Sequence, residues 1–175
     1  MGFAKAFLFS MLALVGINFI FTIIYFAFGP GFDILFFNIQ TYPLMIFYYL
    51  FGSIISYPHI IFEWIIAQPF FGSFVLPDLI LGIGYLVALI IASILAGKFG
   101  EGKGQCFSGW LLTAVISTAL VIIGVLISNF FKATLSTVYG WVTIDVIIIN
   151  IIISCTINIL FYGFFAVLMS KTEYY

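Results

Sequence analysis

His59 and Glu63 stand four residues apart between Pro58 and Pro69, so one helical turn would set an imidazole beside a carboxylate. This is the one local place in the chain where general acid–base chemistry, or the beginning of a metal site, has its groups within reach. A zinc site needs three or four ligands. The chain has a single histidine and no cysteine near it, and Asp33 or Asp78 would have to complete the set from elsewhere. His59 and Glu63 are therefore expected to form a hydrogen-bonded or solvated polar pair on the outer face. No metal, cofactor or catalytic residue is assigned.

A second constellation lies near the C-terminus. Asn150, Ser154 and Asn158 recur every four residues, preceded by Thr143 and followed a turn later by Tyr162. Amides within an apolar run are costly unless they find partners, so this stripe should face other helices or a wet cavity. It is a candidate polar lining for an ion or solute path, or a set of interhelical hydrogen bonds. Asp145 points away from the stripe and reads as a first-turn residue favoured by the helix dipole. Gly97 to Lys103 matches most of a phosphate-loop pattern, but Gly104 stands where Ser or Thr should bind magnesium, and an apolar helix precedes it where a strand is required. Cys106 and Cys155 are expected at different depths, as free thiols.

The elements that carry these residues follow from where charge is missing. The chain has no arginine, and no ionised side chain falls between Lys5 and Asp33, Asp78 and Lys98, Lys103 and Lys132, or Asp145 and Lys171. Each gap is roughly twenty residues or more, enough for ~30 Å of helix and hence for a bilayer's hydrocarbon core. A hydrophobic fraction of 65% with 6% charged residues is far from soluble composition. The fold class is thus an all-α integral membrane protein, a single bundle over residues 1–175. Its four transmembrane helices are expected at about 3–28, 77–99, 108–131 and 143–169, with short interfacial or re-entrant helices in the first outer loop. The run from Ala6 to Phe28 is too long for a signal peptide's apolar region.

Lysines set the orientation. Lys5, Lys98, Lys103 and Lys171 fall on one side of a four-span chain and Lys132 on the other, which places both termini in the cytoplasm. The first connection, 29–76, then faces outward. It is too aromatic for a disordered linker, and Pro43, Pro58 and Pro69 divide it into expected helices at about 43–56, 58–67 and 69–75. Tyr48, Gly52 and Ser56, with Tyr49 and Ser53 alongside, make a weakly polar stripe suited to a helix lying in the membrane interface, with Trp64 as an anchor further along. A fifth span over about 44–66 would bury His59, Glu63 and Pro58 in lipid.

The most regular pattern is a face of small residues, Gly84, Ala88, Ala92, Ala96 and Gly100. Such a face lets another helix approach to backbone contact. Ser117, Val121, Gly124 and Ser128 could supply its partner within the chain, or a second protomer could. The four-span topology with a long outer loop looks like that of claudin-type proteins, but their loop cysteines and tryptophan motif are missing from 29–76. The expected function is a non-catalytic structural or accessory subunit of a membrane assembly or homo-oligomer. The alternative is a small transporter or channel using the Asn150, Ser154 and Asn158 lining. The partners are the lipid bilayer and other membrane subunits or the chain itself. Nucleic acid is excluded by the lack of clustered basic residues.

Overall fold

The computed structural model describes residues 2–72 and 74–170. They form helices α1 (Gly2–Phe28), α2 (Phe32–Thr41), α3 (Met45–Ile55), α4 (Pro58–Phe62), a π-helical turn (Glu63–Ala67), α5 (Gln68–Phe71), α6 (Leu76–Phe99), α7 (Lys103–Ile127), α8 (Asn129–Tyr139) and α9 (Ile144–Leu168), with no strand among the described residues. Four of them, α1, α6, α7 and α9, are long and apolar enough to cross a membrane. Lys171 lies outside the described residues.

Helix ends follow local chemistry. α6 starts with Pro77 in its first turn, where a missing N–H costs nothing, and Asp78 sits beside the positive end of the dipole. α9 is capped by Thr143, whose Oγ1 accepts from the N–H of Val146 at 3.4 Å, and Asp145 is in its first turn. The third long helix departs from expectation at both ends, beginning at Lys103 and stopping at Ile127. Ser128 is extended, and its Oγ accepts from the N–H of Phe131 at 3.2 Å, starting α8. A side-chain acceptor there competes with helix continuation, so Phe130 and Phe131 belong to the short helix rather than to the span.

The long helices alternate in direction. Gly2, at the start of α1, lies against Glu101 and Gln105 just past the end of α6, and the carbonyl of Ala166 near the end of α9 lies against Gly97. α1 runs along α6, while α7 packs on α9 and α1. The small-residue face is closed chiefly by α1 and α9 rather than by α7. A side chain at Gly84 would collide with Phe21, one at Gly97 with Ala166, and Ala88, Ala92 and Ala96 are fully buried. Gly100 lies beyond the helix, beside Cys106. Ser117 turns instead toward Met11, and Gly124 toward Phe131. Both cysteines are free and buried.

The segment 29–76 holds the largest surprises. α2, absent from the expectations, fills 32–41, and α3 follows at a bend of 108°. α3 does not lie on a surface with one polar face outward. Tyr48, Tyr49, Phe51, Gly52, Ser53, Ile54 and Ile55 are all buried, and the helix touches α1, α6, α7 and α9. Its stripe of Tyr48, Gly52 and Ser56 faces inward because it meets other hydroxyls there. Trp64, expected as a surface anchor, is 9% exposed and points at Tyr85 and Tyr139, with ring centroids 6.1 and 6.4 Å away.

Candidate functional site

The interior around α3 is built from side chains of the long helices that serve backbone carbonyls. From α1, Asn18 Nδ2 donates to the carbonyl of Leu50 at 2.9 Å and to Ser53 Oγ at 2.8 Å, and Thr22 Oγ1 donates to the carbonyl of Tyr49 at 3.1 Å. From α9, Asn158 Nδ2 donates to the carbonyls of Ile54 at 2.8 Å and Ser56 at 3.1 Å. The last carbonyls of a helix have no partner of their own and cannot be buried bare. Asn158 supplies one to the C-terminal end of α3, deep among the long helices.

A run of hydroxyls continues from that end. Ser56 Oγ donates to the carbonyl of Gly52 at 2.9 Å and lies 2.7 Å from the hydroxyl of Tyr139. The Tyr48 hydroxyl interacts with those of Tyr139 and Tyr85. Tyr85 reaches this cluster because Gly52 has no Cβ, the space of which its hydroxyl occupies. The phenol of Tyr139 is pushed up to about 12, first by burial, with the hydrogen bonds to Ser56 and Tyr48 working in the opposite direction.

Beside this cluster, toward the end where α1 stops and α6 starts, is a cavity of about 230 Å³. Tyr25, Tyr48, Tyr49, Trp64, Tyr85 and Phe130 supply most of its aromatic wall, with Thr22, Asn38 and Asp78 among the polar residues that line it. Asn38 Nδ2 donates to the Tyr49 hydroxyl at 3.0 Å, tying α2 to α3 at the rim.

The residues singled out from sequence are distributed differently. His59 and Glu63 are both exposed. His59 packs over the Tyr57 ring at 5.4 Å, and no hydrogen bond joins it to Glu63. Among the described residues no group of three His, Cys, Asp or Glu side chains could hold a metal. Ser154 and Asn158 are fully buried; Asn158 turns to α3, and its Nδ2 lies 3.5 Å from Ser154 Oγ. Asn150 accepts from the Tyr57 hydroxyl at 2.8 Å. Asn18 and Thr22 were not singled out, although a signal was present. The buried positions of α1 recur every four residues as Gly2, Ala6, Ser10, Leu14, Asn18, Thr22 and Phe26, a stripe of mostly small or polar types in an otherwise apolar helix. Tyr85 and Tyr139 had no such signal, since each stands alone in its helix. No protein family, curated protein or solved structure matches the chain.

Proposed function

We propose that this chain is a multi-pass membrane protein with both termini in the cytoplasm, and that residues 45–71 form a re-entrant hairpin entering from the outer side. It works without catalysis, as a structural or accessory subunit of a membrane assembly that joins it to other membrane proteins or to copies of itself. The observation that carries this reading is the use of Asn18, Thr22 and Asn158, buried amides and a hydroxyl of α1 and α9, on the backbone of 49–56. Non-helical backbone at membrane depth is tolerated where protein encloses it and satisfies it. A conduit along Asn150, Ser154 and Asn158 is less well supported, because Tyr57 already occupies Asn150, and α3 occupies Asn158, which also engages Ser154. Orientation rests on Lys5, Lys98 and Lys103 lying at one end of the bundle and Lys132 at the other.

Gentle extraction from the native membrane followed by native mass spectrometry tests the assembly. A particle of more than one chain, of one or several kinds, is expected. A strictly monomeric, partner-free particle across mild detergents and nanodiscs would overturn the proposal.

A further inference from the structure

The aromatic cavity carries one full charge. Asp78 lines it, half-buried, and has no ion-pair partner among the described residues. Among the described residues no lysine and no histidine lines the cavity, and the chain has no arginine. Tyr25, Tyr49, Trp64 and Tyr85 line the same cavity, and Tyr25 lies close enough to Asp78 to interact with its charge. The dipole of α6 offsets part of the charge. A half-buried carboxylate on the wall of an aromatic cavity still lacks a counter-ion.

We propose that this cavity is a binding site for a small alkylated ammonium ion of the choline type. Aromatic rings attract cations through their quadrupoles, and the attraction grows as water is excluded. An ammonium whose charge is spread over methyl groups gives up its hydration more readily than a metal ion or a primary amine does. Anions are opposed by Asp78, and a neutral apolar guest would leave the carboxylate stranded. A volume of about 230 Å³ admits a trimethylammonium group with a short stem, not a large ligand. The same group could arrive as a free amine or as the headgroup of a choline lipid. This binding is independent of the assembly proposed above.

The test uses the full chain in nanodiscs of phosphatidylglycerol alone, titrated with choline chloride at constant ionic strength and followed by calorimetry and by tryptophan fluorescence. Saturable binding is expected. The uncharged isostere of choline, with carbon in place of nitrogen, should bind about tenfold more weakly or worse. Asp78→Asn should weaken choline by at least about tenfold, whereas Asp145→Asn, a carboxylate outside the cavity, should leave it unchanged. Phosphatidylcholine added to the discs separates the sources: competition assigns the lipid headgroup, and no competition assigns a free amine. The proposal is overturned if choline shows no saturable binding, if the isostere binds as well, or if a folded Asp78→Asn chain binds choline normally. Should that variant fail to fold, the isostere comparison on the unaltered chain decides.

Discussion

Asn158 donates from α9 to the carbonyl of Ile54 at 2.8 Å, across 104 residues of sequence, and its second bond to the Ser56 carbonyl closes the end of α3. One amide thereby holds two backbone acceptors that neither water nor helix geometry would satisfy at that place.

Asn158→Leu should therefore destabilise the bundle by about 1–3 kcal/mol, the cost of leaving buried acceptors unpaired. Asn150→Leu should cost less, since its bonds to Tyr57 and to the Val146 carbonyl of its own helix lie at a partly exposed position. Unfolding curves in one mild detergent measure both, and equal losses would contradict the assigned role of Asn158.

Gly52 and Tyr85 should be coupled. Gly52→Ala places a methyl where the Tyr85 hydroxyl sits, and overpacking of this kind costs about 1–3 kcal/mol. Tyr85→Phe in the same chain should recover part of that loss. A double-mutant cycle with no interaction energy would show that the two do not meet.

Two glycines predict opposite outcomes for the same substitution. Gly84→Leu drives a side chain into Phe21, while Gly16→Leu enters open space on α1. The first should lower the melting temperature markedly and the second should leave it nearly unchanged. If Gly16→Leu reduces particle size in native mass spectrometry without loss of stability, the assembly contact lies on that side of α1.

Tyr139 confers an alkaline sensitivity. Its phenol ionises near the usual 10 when unfolded and at about 12 in the bundle. Between those values the unfolded chain has lost a proton that the folded chain retains, so this contribution to stability is complete below pH 10 and declines as pH rises toward 12. Tyr139→Phe should flatten that part of the stability profile. An unchanged slope between pH 10 and 12 would place the ionisation elsewhere.

The proposed orientation is open to thiol labelling, since the native cysteines are both buried. Lys103→Cys, at an exposed position, should react with an impermeant maleimide only after the membrane is opened, and Val142→Cys, 82% exposed, before it. The reverse pattern would invert the topology.

What the sequence determined was the set of long helices and their punctuation. The charge-free runs from Lys5 to Asp33, Asp78 to Lys98, Lys103 to Lys132 and Asp145 to Lys171 leave few structures besides helices of bilayer length, and Gly29-Pro30-Gly31 and Thr143 mark ends through local backbone chemistry. The break at Ser128 is also a local signal, but in an apolar run it reads as one more small residue until Phe131 is seen to bond to it. Tertiary structure alone decided that α3 is enclosed and that the hydroxyls of Tyr48, Tyr85 and Tyr139 meet. It alone gathered Thr22, Asn38, Asp78 and Phe130 around one cavity. The three tyrosines and these four residues together come from five different helices, and the periodicity within a helix identifies a face without saying which other helix will cover it. Which polar group serves which carbonyl is settled by packing, because a buried backbone acceptor is satisfied by whatever donor the neighbouring helix brings to it.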